Sequence, residues 1–228
     1  MAAVDDLTAQ ALKPDAEEML RLLVSPELSE RMVAARAFCE LQEERAIPHL
    51  IKLLSDACPL LRVSAAYALG RNPREDAVEP LIYQFAQDWN GYVRKGVVWA
   101  LGNCRDRRAL PSLLDALSTD ISAVRLWAAS SLGQLANLSD EINETVIPAI
   151  IQAMSTEPLG PIRSNCVWSL GQLSQSLPQG KPYQTAIATL IQALQDPDLG
   201  VQEDAKIALQ RLGDPQGLKA IEELDSIG

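Results

Sequence analysis

Apolar residues recur along the chain with helical spacing, and the same spacing returns unit after unit. In Ile47-Pro-His-Leu-Ile-Lys-Leu-Leu54, Leu110-Pro-Ser-Leu-Leu-Asp-Ala-Leu117 and Ile147-Pro-Ala-Ile-Ile-Gln-Ala-Met154 they fall at i, i+3, i+4 and i+7, one face of an amphipathic helix. Pro80–Phe85 and Leu190–Leu194 are shorter versions. Proline near the start of most of them suits a first helical turn, where a missing N–H costs nothing.

A second phrase alternates with the first. It has arginine, small apolar residues three and four positions on, leucine at seven and glycine at eight. It reads Arg62-Val-Ser-Ala-Ala-Tyr-Ala-Leu-Gly70, Arg94-Lys-Gly-Val-Val-Trp-Ala-Leu-Gly102, Arg125-Leu-Trp-Ala-Ala-Ser-Ser-Leu-Gly133 and Arg163-Ser-Asn-Cys-Val-Trp-Ser-Leu-Gly171. Degenerate copies start at Arg31 and Gln202. The pattern predicts a two-helix hairpin repeated about six times, with glycine ending each second helix in the left-handed conformation. One hairpin cannot bury its own apolar face, so neighbours must stack on a continuous core. The expectation is an all-α, right-handed superhelix forming one domain over 1–228. Its cap and first helix span 1–28, regular repeats 29–196 and a C-terminal cap 197–228. Two longer units are expected to carry longer inter-helix loops, at 137–144 and 175–182.

An acidic residue precedes each arginine by five or six positions: Asp56 with Arg62, Asp88 with Arg94, Asp120 with Arg125, Glu157 with Arg163. These pairs predict a ladder of charges along the inter-helix turns, each carboxylate partnering the arginine that follows it. A pair repeated in every unit points to structure, since an active site needs singular residues.

The 228 residues carry 20 Lys+Arg against 30 Asp+Glu, a formal charge of −10, and the sequence pI is about 4.6. Nucleic-acid binding needs basic surface to replace condensed counterions, so it is disfavoured, as is docking on anionic lipid. No apolar run is long enough for a membrane span. The opening MAAVDDLTAQALK puts aspartates where a secretory signal would be positive, which points to the cytosol. Cys39, Cys58, Cys104 and Cys166 are not closely paired and suit a reducing compartment. Units two steps apart would hold Cys39 and Cys104 on the order of 20 Å from each other, too far to share a metal. Cys166 stands in a core slot, and Cys58 is the expected exposed thiol. A single histidine, His49, expected at the surface, leaves no histidine-based catalytic constellation, and no catalytic residue or metal site is assigned.

The proline-bearing first helix, the acid–arginine ladder and the Arg…Ala-Ala…Ala-Leu-Gly phrase resemble HEAT repeats. More narrowly they are similar to the short repeats of the phycobilisome lyase family, the bilin lyase E and F subunits and their relatives. The resemblance covers about residues 15–224. It implies a HEAT-like α-solenoid and a partner among phycobiliproteins or their bilins. Family members serve as two-chain bilin lyases or isomerases, in dismantling phycobilisomes, or as partners of iron–sulfur assembly carriers.

In such solenoids the second helices line the concave side. Positions one and five after the arginine then share the face left free by the core. This places Tyr67, Trp99 and Trp168 on one inner stripe, with Lys95 on it and Trp127 beside it. A polar row at position nine includes Arg71 and Asn103. Trp and Tyr are enriched at binding hot spots, so these residues are the candidate partner site. Arg94, Lys95, Arg105, Arg107 and Arg108 form a local basic spot suited to a carboxylate-bearing ligand such as bilin propionates, or to an acidic protein surface. The reading is a non-catalytic protein-binding scaffold without a cofactor of its own. A subunit of a heteromeric bilin lyase and an iron–sulfur assembly partner are the alternatives.

Overall fold

A computed structural model describes residues 14–135 and 138–226. The amino-terminal stretch read above for targeting, and Asn137 of the first long loop, lie outside the described residues. Thirteen α-helices follow one another among the described residues, with no strand. The hairpins are α1 (Ala16–Leu22) with α2 (Leu28–Ala37), α3 (Ile47–Leu53) with α4 (Pro59–Arg71) and α5 (Val78–Gln87) with α6 (Gly91–Cys104). They continue as α7 (Leu110–Thr119) with α8 (Ser122–Gln134), α9 (Asp140–Thr156) with α10 (Gly160–Ser174) and α11 (Lys181–Ala193) with α12 (Leu199–Leu212); α13 (Pro215–Asp225) closes the end. Short 3-10 turns lead into α3, α5 and α7.

The core is one continuous cluster running from Met19 to Ile221. The arginine-phrase positions three, four and seven supply most of it: Ala65, Ala66 and Leu69, then Val97, Val98 and Leu101, are sealed completely, as are their counterparts in α8 and α10. The second helices pack closely on one another from α4 to α12, whereas successive first helices barely touch. Tight spacing on one layer and splaying on the other bends the stack toward the second helices, which therefore line its inner side. On the outer side the splaying leaves clefts, such as one of about 410 Å³ between α7 and α9.

Three expectations about local structure need correction. The longer units carry longer helices rather than mainly longer loops. Residues 140–144, expected in a loop, form the start of α9 and extend it to 17 residues. Its Ile147-Pro148 still aligns with Leu110-Pro111 at the start of α7, so the insertion adds turns ahead of the regular register. α11 likewise begins at Lys181.

Second, the repeated glycines do not stop helices. Gly70, Gly102, Gly133 and Gly171 all lie inside helices; the left-handed positions among the described residues are Arg105 and Gly213. These glycines face the small residue at position six of the next repeat. A Cβ on Gly102 would lie 2.5 Å from Ser131 Oγ and 2.9 Å from Ser131 Cα. On Gly133 it would lie 3.0 Å from Ser169 Cα, and on Gly70 2.9 Å from Ala100 Cα. Where position six is serine, its hydroxyl donates across the interface, Ser131 Oγ to Val98 O at 3.0 Å and Ser169 Oγ to Ala129 O at 2.6 Å. Glycine thus sets the closeness of the inner layer.

Third, the charge ladder is real, but its rungs join neighbouring repeats. Arg62 forks onto Asp88 (Nε–Oδ2 2.7 Å, Nη2–Oδ1 2.8 Å), 26 residues ahead. In the same way Arg94 holds Asp120, Arg125 holds Glu157 and Arg163 holds Asp196. Arg31 reaches Asp56 by one bond. The acid expected to pair within the turn instead offers its backbone carbonyl: Asp56, Asp88, Asp120 and Glu157 accept from Nη1 of Arg62, Arg94, Arg125 and Arg163 at 2.8–3.0 Å. Gln202 makes the same bond to the Asp196 carbonyl at the last rung. Each guanidinium therefore closes its own turn and clamps the next, a geometry that needs the planar fork of arginine. Burial pushes the Asp88 carboxyl up, but bonds from Arg62, the Asn90 N–H and Gln84 outweigh it and hold the group below its ordinary value. The Arg125 and Arg163 forks hold Glu157 and Asp196 low as well.

Candidate functional site

The inner surface is built from the outward faces of α4, α6, α8, α10 and α12. Trp99 does not stand free on it. Its ring covers Gly70, where a Cβ would approach to 2.5 Å, and it lies against Tyr67 with ring centroids 5.3 Å apart and planes tilted by 46°. Tyr67 in turn sits over Gly96. Both rings are half-buried and bridge α4 and α6. One repeat on, the Lys95 ammonium lies 5.7 Å from the centroid of half-buried Trp127, a cation–π contact between α6 and α8. Trp168 is the most open ring of the row, 40% exposed, beside Ile207 of α12 at 42%. The two, with Gln172, Gln175, Asp204 and Arg211, edge a shallow groove of about 40 Å³. Ser164 donates to Asp204 on the same face.

The position-nine side chains are partly engaged. Asn103 Nδ2 donates to Gly70 O at 3.1 Å, and Arg71 Nε to Cys39 O at 3.2 Å, so these groups also tie helix ends to the preceding repeat.

The basic spot is mostly neutralised. Arg94 belongs to the ladder. Arg108 is chelated by Asp106 at 2.7 Å and lies within 3.6 Å of Glu75 and Glu79, while Arg107 faces Glu141 at 3.6 Å. Arg105 alone of the five has neither a carboxylate nor a ring partner among the described residues, and its left-handed backbone turns it outward at the end of α6. With Arg45–Glu17 and Arg74–Glu44, the Arg108 and Arg107 contacts make a second, exposed row of ion pairs between repeats, on the edge opposite the ladder. Sequence reading did not find that row because its partners lie about 30 residues apart.

Three of the four thiols are poor nucleophiles. Burial pushes Cys104 up to about 11 and Cys166 to about 12, and raises Cys39, so all three stay protonated near neutral pH. Cys166 is sealed in the core as expected, whereas Cys58 is half-buried like Cys39 and Cys104. His49 is likewise half-buried rather than at the surface, and its Nδ1 finds no partner among the described residues. No group of three or more His, Cys, Asp or Glu side chains among the described residues is placed to hold a metal ion.

Trp89, in the turn before α6, and Tyr92, in the first turn of α6, lie off the helical row that marks the inner stripe. Both are largely open to solvent, at 78% and 71%.

The sequence matches the pattern of HEAT repeats over residues 16–88, 78–171 and 147–226. The chain belongs to the HEAT-repeat family. A comparison with curated protein sequences found no match. Among solved structures, this HEAT-repeat chain is similar to the complex of CpcE and CpcF of phycocyanin lyase from Nostoc sp. PCC7120. The TM-score is 0.67 and the identity 23%, over 96% of this chain and 85% of that one. A designed armadillo repeat protein in complex with the peptide (KR)4 superposes with a TM-score of 0.68 at 20% identity, over 87% of this chain and 100% of that one. At such identities the likeness establishes the repeat-solenoid fold. No helix of the described residues is long and apolar enough to cross a membrane.

Proposed function

We propose that this HEAT-repeat protein is a non-catalytic cytosolic scaffold that docks a partner protein, of the phycobiliprotein class, along the inner face of its second helices. The observation that carries the reading is Trp168, an indole 40% exposed on a packed helical layer, beside Ile207 and the polar rim of Gln172 and Arg211. An aromatic anchor ringed by amides and a guanidinium is the composition of an interface hot spot. Tyr67, Trp99 and the Lys95–Trp127 pair extend the same surface over three repeats, and Arg105 offers a charge at its margin. The fold-level likeness to a phycocyanin lyase complex, across 96% of the chain, supports the choice of partner class. In this reading the protein holds no cofactor of its own, and a bilin reaches it only on the partner.

Titrating purified phycocyanin against the immobilised protein tests this. Trp168→Ala should raise the dissociation constant by about tenfold or more, the effect of losing one hot-spot ring. Its far-UV circular dichroism should match the parent, because the ring is not a sealed core residue. Unchanged affinity would remove Trp168 from the site. Covalent gain of bilin by the apo-phycobiliprotein, read by absorbance and zinc-enhanced fluorescence, would favour the enzyme-subunit alternative instead.

A further inference from the structure

The inner layer differs in charge from the rest of the molecule. Helices α4, α6, α8 and α10 contain no aspartate or glutamate, although the chain has 30 acidic residues. Carboxylates return at the two ends of the layer, where Glu40 follows α2 and Glu203 and Asp204 stand on α12. Its edges carry acids too, but arginines hold them: the ladder on one side, and Arg45–Glu43 and Arg74–Glu44 on the other.

Arg36, Arg71 and Lys95, on consecutive second helices, have no carboxylate bonded to them among the described residues. Arg71 gives its Nε to the Cys39 carbonyl at 3.2 Å, which leaves both Nη groups without a bond. Lys95 is half-buried with the Trp127 ring as its partner at 5.7 Å. Arg36 is exposed at position five of the first unit. Burial raises the Cys39 thiol, and of the charges acting on it Arg71 and Arg36 lower it while Glu40 raises it, so the two guanidiniums share one neighbourhood at the end of α2. A half-buried ammonium without a counter-ion keeps part of its desolvation cost, and an incoming anion relieves it. Tyr67 lies one turn before Arg71 and Trp99 one turn after Lys95, and these two rings touch, so an aromatic floor joins the cations.

The geometry points to an acidic, extended segment of the partner protein as the occupant of this stretch, its carboxylates set against Arg36, Arg71 and Lys95 and its backbone over the Tyr67–Trp99 floor. The inference rests on the docking reading for the surface, and adds the charge and shape of what lies on it. Helices pack about 8–10 Å apart, so cations on three consecutive helices spread over roughly 20 Å. Eight extended residues reach about 26 Å and span them all. A polynucleotide has the same sign of charge, but it has to cross the acid-bearing edges of a molecule of charge −10, whereas one short chain runs between them.

Fluorescence anisotropy tests this with a labelled octapeptide of alternating glutamate and aspartate, titrated with the full chain at about 0.05 M salt. The peptide should bind although both molecules are acidic, and the affinity should fall by about threefold or more at about 0.3 M salt. Joint Arg36→Gln and Arg71→Gln, at exposed helical positions that glutamine suits, should raise the dissociation constant by about tenfold, and Lys95→Gln by about threefold. Lys52→Gln removes an equal charge from an exposed position on the first helix α3 and should leave the affinity unchanged. No binding up to about 1 mM peptide overturns the proposal, as does binding indifferent to the inner-face variants. An oligothymidylate of equal length that binds as tightly, with the same dependence on Arg36 and Arg71, overturns the assignment to a carboxylate-bearing segment. In each of these cases a Trp168-dependent affinity for phycocyanin would still stand. Phycocyanin that fails to bind while the acidic peptide binds as expected overturns the partner class alone.

Discussion

Replacing Asp88 by alanine should lower the free energy of unfolding by about 3–5 kcal/mol, the cost of stranding a buried charge. The Arg62–Asp88 fork is the most enclosed rung of the ladder, with side chains 9% and 1% exposed, and Gln84 also donates to the same carboxylate at 2.7 Å. Removing the acid leaves the guanidinium facing a cavity with only the Asp56 and Ala57 carbonyls as partners. Urea unfolding at pH 7 measures the loss directly. Breaking the exposed Arg107–Glu141 contact by Glu141→Ala should change stability by less than about 1 kcal/mol. The effect also has a pH signature. The folded-state carboxyl of Asp88 lies below its unfolded value near ~3.9, so its ionic contribution is fully present above that value and fades as the pH falls through the folded one. The gap between parent and Asp88→Ala should therefore narrow in acid. A gap under about 1 kcal/mol at pH 7 would mean that the ladder is ornamental.

Gly102→Ala should destabilise the protein by about 1–3 kcal/mol, the range for overpacking a tight contact. The sign is the informative part. In an ordinary helix interior the same change is favourable by about 0.5–1 kcal/mol, because alanine loses less backbone entropy on folding. Here the new methyl would meet Ser131 at Oγ, Cβ and Cα within 2.9 Å, and the Cα cannot swing aside. Relief requires α6 and α8 to separate, at the expense of the Ser131–Val98 hydrogen bond. Thermal unfolding shifted downward fits this account, whereas a stabilised variant would show that the inner layer has slack.

The hairpin count, the register of the second helices and the sealed positions three, four and seven were all legible, because periodic burial writes itself into periodic sequence. The rung partners were not. Nearby charges invite pairing within a turn, but a side chain at the start of a helix points back over its N-terminal edge and reaches the neighbouring unit. A trace of this was present. Arg31 has Ser25, not an acid, six residues before it, while Asp196 is followed six residues on by Gln202; the ladder is offset by one unit. The glycines misled for a similar reason, since a helix stop and a close approach both call for a missing Cβ, and only the neighbouring helix tells them apart. Trp99 fell on the expected row yet is half-consumed by the Gly70 seat, a contact that spans repeats and leaves no local pattern. Trp89 lies in a turn, where helical periodicity gives no information.

The chain contains four tryptophans, so its indole N–H groups give four distinguishable signals in a two-dimensional nitrogen–proton NMR spectrum, assignable by single substitution. Recording that spectrum while phycocyanin is added tests the docking face most directly. The account predicts that the Trp168 signal moves or broadens most, with Trp99 and Trp127 following and Trp89 unchanged. Movement confined to Trp89, or none at any of the four while binding occurs, would contradict it.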